Sequence, residues 1–204
     1  MKTKQIILKE SLRLFNKNSF ELSTTNLIAN ESNVLEGSLW YHFNSKLDII
    51  SNHLDIFLDL YNSKKKHTQK NESIKLIQGL FSMYEVVWDY RYLFRDSFEQ
   101  ISIKNPDLYR RIVDINKLID DWVRESVLHS KNIGILIIEE IDTEDIVEII
   151  LIIGRYWLDF SIKKYPSKSD AYLRKKGINL LIKSFYPYLS KDSKRIMDSI
   201  YESV

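Results

Sequence analysis

Apolar residues recur at intervals of three and four along the whole of this 204-residue chain, and no stretch keeps the period of two that a half-buried strand requires. Only five glycines and three prolines interrupt the pattern, so helices can run long. The chain is therefore expected to be all-α. Leu8, Leu12 and Phe15 mark a first helix from about Thr3 to Asn18. Ser23-Thr24-Thr25 offers hydroxyl caps to a short second helix ending near Asn33, and a third covers about Leu35 to His42. Asn44-Ser45 breaks the chain and starts a fourth helix at Lys46, with Leu47, Ile50, Leu54, Phe57 and Tyr61 on one face, out to about Tyr61 or Lys65.

The polar segment Ser63 to Ser73 reads as a connection, and Lys64-Lys65-Lys66 within it as either a solvated helix end or a phosphate-binding patch. Further helices are expected from Ile74 to Asp89, through an aromatic-rich stretch to about Ile103, and from Asp107 to about Ser130. Asn105 suits the cap of the last of these and Pro106 its first turn. Lys131-Asn132-Ile133-Gly134 ends it, and Ile135 to Ile141 reads as a short irregular apolar piece. Asp142-Thr143-Glu144-Asp145 places carboxylates where a helix dipole favours them, opening a helix to Tyr165. Two more follow, from about Ser167 to Tyr186 and from Lys191 to Glu202.

Several function classes are set aside by what is missing. There is no cysteine, and the four histidines (His42, His53, His67, His129) show no metal-ligand spacing, so neither a metal nor a cofactor is expected. No glycine-rich phosphate loop, nucleophile elbow or HExxH occurs, which argues against an enzyme. The longest apolar run, Ile149 to Ile153, is too short to span a bilayer, and Met1-Lys2-Thr3-Lys4 leads into no apolar leader, so a cytoplasmic protein without a membrane partner is expected. A net charge of +2 gives no bulk attraction for nucleic acid, so any DNA binding must come from local placement of groups.

Such placement exists in the first fifty residues. Three short helices with a tight turn between the second and third are the pattern of a helix-turn-helix. Ala29 allows close approach of helices two and three, Asn33 tolerates positive φ in the turn, and Val34, Leu39 and Phe43 anchor the third helix inward. The stretches Ile7-Leu8, Leu12-x-Leu14-Phe15, Phe20, Thr24-Thr25-x-x-Ile28-Ala29, Val34-x-x-Gly37-Ser38-Leu39-Trp40-Tyr41-His42-Phe43 and Ser45-Lys46 follow without gaps. From Ile7 to Ile50 the chain resembles the DNA-binding domain of the tetracycline-repressor (TetR) family. The resemblance implies that Thr24, Thr25 and Asn26 contact phosphates and that Glu36, Gly37 and Ser38 read bases. It further implies that Trp40, Tyr41 and His42 touch the DNA backbone and that Lys46 binds a phosphate. Ser19 and Asn33 stand where the family usually has glycine, and Leu35 where it often has a small polar cap. Glu36 has two readings: an acceptor for cytosine N4, or a helix-terminal charge turned away from the bases.

Residues 1–50 are thus expected to form the DNA-binding domain, and 51–204 a helical domain for ligand binding and dimerisation. In the latter, Trp88, Tyr92, Arg95, Phe98, Trp122, Tyr156, Trp157 and Phe160 are candidate ligand contacts, with an ordinary bundle core as the competing reading for each. Arg155, on an apolar helix, calls for an internal salt bridge or a ligand anion. The helix from Thr143, apolar nearly all round between Ile146 and Phe160, is expected to join Ala171–Tyr188 in a four-helix dimer interface. The function so implied is a homodimeric repressor that binds a palindromic operator in double-stranded DNA and releases it on binding a small effector. A regulator controlled by a protein partner, or by no effector, is the alternative.

Overall fold

The computed structural model describes residues 2–68 and 73–202. It is all-α, with eleven helices among the described residues. They are α1 (Thr3–Asn18), α2 (Thr25–Glu31), α3 (Glu36–His42), α4 (Lys46–Thr68), α5 (Ser73–Asp89), α6 (Tyr92–Arg95), α7 (Glu99–Lys104), α8 (Pro106–Asn132), α9 (Thr143–Lys164), α10 (Asp170–Phe185) and α11 (Lys191–Glu202). A single 3-10 turn, Tyr186–Tyr188, follows α10.

Two compact units emerge. One consists of Met1–Leu60 and Asp89–Ile115, the other of Tyr61–Trp88 and Asn116–Val204. The first unit therefore adds the segment after α5 to the helices expected of a DNA-binding head. α1, α2 and α3 pack on one another. Ile7, Phe15, Ile28, Leu39, Ile50 and Leu54 are all fully buried, and Phe15 meets Phe20 edge-on at 5.3 Å and Tyr92 at 5.1 Å. His53, on α4, sits in this core. One ring nitrogen donates to the Leu8 carbonyl at 3.0 Å, with the Ser11 hydroxyl 3.3 Å away, and the other accepts from the Tyr92 hydroxyl at 2.9 Å.

In the second unit α9 and α10 pack along one another. Gly177 lets α10 approach closely: a Cβ there would come within 2.1 Å of Tyr84 Oη and 2.4 Å of the Trp157 indole. The Trp157 Nε1–H donates to the Leu173 carbonyl at 2.9 Å, and Trp88 Nε1–H to Asp170 at 2.9 Å. Arg155 takes the internal partners expected of it, Asp120 and, at 3.0 Å, the Asn116 carbonyl. The apolar piece after α8 runs alongside the turn after α10, joined by bonds from Ile137 N–H to Tyr188 O and from Ser190 N–H to Ile135 O. Gly134, at φ 71, stops α8.

Two expectations need correction. The polar segment Ser63 to Ser73 is not mainly a connection: α4 continues to Thr68 and α5 begins at Ser73, with 69–72 outside the described residues. Lysine is a good helix former, and Lys65 is held by Glu125 at 3.0 Å, so the charged run does not end the helix. The aromatic-rich stretch is two short helices, α6 and α7, rather than one, because Asp96 leaves the helical region at ψ 144.

Candidate nucleic-acid interface

Each of the two turns that join α1, α2 and α3 contains one residue at positive φ. Asn33 adopts φ 54 between α2 and α3, and Ser19 adopts φ 86 between α1 and α2. A short polar side chain makes the first tolerable. Thr24 caps α2, its hydroxyl accepting from Leu27 N–H at 3.2 Å. Leu35, before α3, gives the helix no side-chain cap, so its placement depends on the burial of Leu39 and Phe43 and on α2.

That anchoring fixes what α3 presents outward. Tyr41 is 85% exposed and Trp40 43%. Gly37 is exposed too, and a Cβ built on it meets nothing within 4 Å, so the fold itself makes no demand for glycine there. A bare Cα on this face is instead what close approach to a base edge or sugar would use. His42 is half-buried and lies edge-on to the Tyr41 ring at 5.1 Å. Ser38 is half-buried. Thr24 and Asn26 are exposed at the start of α2, with Asn26 accepting from the Asn30 amide at 3.0 Å.

Glu36 is tied to the head of α2, its carboxylate accepting from the Thr25 hydroxyl at 2.8 Å. One carboxylate oxygen and one hydroxyl expected to face DNA are thus engaged with each other. Lys46 differs more from expectation. Its ammonium is turned inward, donating to Phe20 O at 2.9 Å and Ser23 O at 3.2 Å, and it lies 4.0 Å over the Phe20 ring. Burial pushes its pKa down, as for an amine removed from water. Lys4 lies beside the end of α3. It is exposed, with its amine 5.5 Å from the ring of Phe43, and nothing local at residue 4 signals a neighbour 39 positions away.

The eight candidate ligand contacts do not form one set. Tyr92, Arg95 and Phe98 belong to the unit that holds the head; Trp88, Trp122, Tyr156, Trp157 and Phe160 belong to the other. Tyr92 is fully buried, which drives its phenol well above the ordinary range, and it is committed to His53. Arg95 donates to Phe15 O at 2.8 Å and Asn16 O at 2.7 Å and pairs with Asp96 at 2.7 Å. Phe98 packs on Phe20 and Tyr92. Burial raises the Asp96 carboxyl, against the pull of Phe20 N–H and Arg95. In the second unit Trp88, Trp122 and Trp157 are buried, whereas Tyr156 is 73% and Phe160 52% exposed.

Comparison with known proteins decides the family. The model for bacterial regulatory proteins of the tetR family matches residues 7–51, and the TetR model, described as a bacterial transcriptional repressor, matches residues 52–196. The chain belongs to the TetR family. As a TetR-family protein it is a DNA-binding transcriptional regulator. Solved structures share its fold. A TetR-family transcriptional regulator from Marinobacter aquaeolei VT8 is 22% identical, covers 100% of this chain and 98% of its own, and has a TM-score of 0.77. The ketosteroid transcriptional regulator KstR2 of Mycobacterium tuberculosis is 18% identical over 93% of this chain and 96% of its own, with a TM-score of 0.68. SmeT, solved as a triclosan complex, is 13% identical over 94% and 93%, with a TM-score of 0.63. No curated protein sequence matches the chain significantly. Among the described residues of this TetR-family regulator no helix is long and apolar enough to cross a membrane, and no group of three or more His, Asp or Glu side chains could hold a metal ion.

Proposed function

We propose that the chain is a cytoplasmic repressor that binds a palindromic operator as a homodimer and leaves it on binding a small, largely apolar effector. The observation that carries the DNA-binding part is the face of α3. Seven residues, anchored by a Leu39 and a Phe43 that are 0% and 2% exposed, hold an 85% exposed Tyr41 beside Trp40 and a bare Gly37. A short, rigid helix with aromatic hydrogen-bonding groups on its outward face is what insertion into a major groove uses. Ile149, Ile152, Tyr156 and Phe160 support a dimer, since they lie on one exposed face of α9 at helical spacing, an apolar stripe that a second copy would cover. A ketosteroid regulator and a triclosan complex among the similar folds are the support for an effector of apolar character.

Selection of bound duplexes from a random DNA library at physiological salt, together with the mass of the complex, tests this reading. A two-fold symmetric enriched site bound by an even number of chains is expected. A folded protein that enriches no sequence would overturn it.

A further inference from the structure

The backbone of Phe20, in the turn that launches α2, is held at both its N–H and its carbonyl. Its N–H donates to Asp96 Oδ2 at 2.6 Å, and its carbonyl accepts from Lys46 Nζ at 2.9 Å. The same ammonium reaches the Ser23 carbonyl at 3.2 Å, one residue before the α2 cap. Behind Asp96 stands Arg95, which bridges it at 2.7 Å and takes the carbonyls of Phe15 and Asn16 at 2.8 and 2.7 Å, closing the last turn of α1. The Arg95 and Asp96 side chains are 9% and 6% exposed. Charges this dry are costly unless every donor and acceptor is used, and here they converge on a short stretch of backbone. That stretch has reason to need holding. Ser19 sits at φ 86, ψ 161, where a side chain is strained, so the turn would relax if released.

We propose that Asp96, Arg95 and Lys46 are positioning residues for DNA recognition. Through the backbone of Phe20 they set the place of Thr24, Thr25 and the first turn of α2, and so the affinity for DNA is controlled by a residue pair far outside the first fifty. This rests on the DNA-binding reading above. It gives Lys46 a role other than phosphate contact. A lysine that neutralises a phosphate contributes about 0.9 to the slope of log affinity against log salt; a lysine that only holds the turn contributes nothing to it.

The experiment uses the full chain with Asp96→Ala, Asp96→Asn and Lys46→Met, which keeps an unbranched apolar stem and removes the ammonium. Affinity for a duplex enriched by the parent is measured across salt concentrations, and amide exchange is followed over residues 19–25 and over α9 and α10. Asp96→Ala is expected to weaken binding at least tenfold on every duplex without reordering them. It should speed exchange at 19–25 while α9 and α10 stay protected, and Asp96→Asn, which retains an oxygen for the Phe20 N–H, should recover most of the loss. Lys46→Met should weaken binding with an unchanged salt slope and the same faster exchange at 19–25. Parental exchange in Asp96→Ala, an altered base preference, or equal loss in Asp96→Asn would overturn the proposal. So would a salt slope lowered by about one contact in Lys46→Met with its exchange unaltered. Should Asp96→Ala unfold, seen as lost protection in α9 and α10, Lys46→Met decides. A parent that enriches no duplex sinks the functional reading instead, and the exchange of 19–25 still judges the clamp.

Discussion

Acid should weaken this protein through His53. The imidazole is fully buried between Phe15, Tyr90 and Tyr92, and its neutral form is satisfied at both nitrogens: Nε2–H donates to the Leu8 carbonyl, and Nδ1 accepts from the Tyr92 hydroxyl. A second proton would displace the Tyr92 donor and leave a charge in the core, and burial lowers the pKa from 6.5 to about 4. Above pH 6.5 neither the folded nor the unfolded chain holds the proton, and the His53 contribution to stability is complete. Between pH 6.5 and about 4 the unfolded chain takes a proton that the folded chain refuses. Stability then falls by up to about 1.4 kcal/mol per pH unit, for a total near 3 kcal/mol. Other groups titrate in the same window, so the measurement is a comparison. Urea unfolding of the parent and of His53→Gln, whose amide nitrogen can still reach Leu8 O, is followed at pH 7, 5.5 and 4.5. The stability gap between them should shift in the variant's favour by about 2 kcal/mol from pH 7 to 4.5. A gap that stays constant, or a His53 ring that titrates near 6.5 by NMR in the folded protein, would refute the argument.

Three further outcomes can be checked by substitution. Ser19→Gly removes a side chain from a region that glycine alone occupies easily (φ 86, ψ 161), and should raise stability by about 1 kcal/mol; a lower melting temperature would count against the strain. Gly177→Ala forces a methyl group against Tyr84 and Trp157, and should cost about 1–3 kcal/mol, with a changed tryptophan emission as the indole loses its place at Leu173 O. Gly37→Ala meets open space within a helix, so it should stabilise the fold by about 0.5–1 kcal/mol while weakening DNA binding, separating the two demands on one residue in a melt and a binding titration.

What could be read in advance was short-range. The bounds of α1, the Thr24 cap, Asn33 at positive φ and the Asn105 cap, which accepts from Leu108 N–H at 3.1 Å, all depend on residues within four positions of one another. The same holds for the inward Leu39 and Phe43. What could not be read depends on pairing across the chain. Lys46 finds its partners at Phe20 and Ser23, and Arg95 at Phe15 and Asn16, and an isolated cation carries no local sign of whether it will be spent on a phosphate or on a carbonyl. The aromatic residues between 88 and 98 were candidates for one pocket or for an ordinary core, and closeness in sequence does not tell which partners each will find. Their partners divide them: Trp88 reaches Asp170, whereas Tyr92 and Phe98 pack against Phe15 and Phe20. Glu36 was open between two readings, and the Thr25 hydroxyl now occupies one of its oxygens.

The assembly of one compact unit from Met1–Leu60 and Asp89–Ile115 bears on how such a protein can be recombined. The two family models meet between residues 51 and 52, and a chimera made at that seam would look natural in an alignment. It would nevertheless carry α1 and its Phe20 turn away from Asn16's partner at Asp89, and from Arg95 and Asp96. A transplant that keeps these contacts would have to bring residues 89–98 along with the first fifty, as a graft in two pieces.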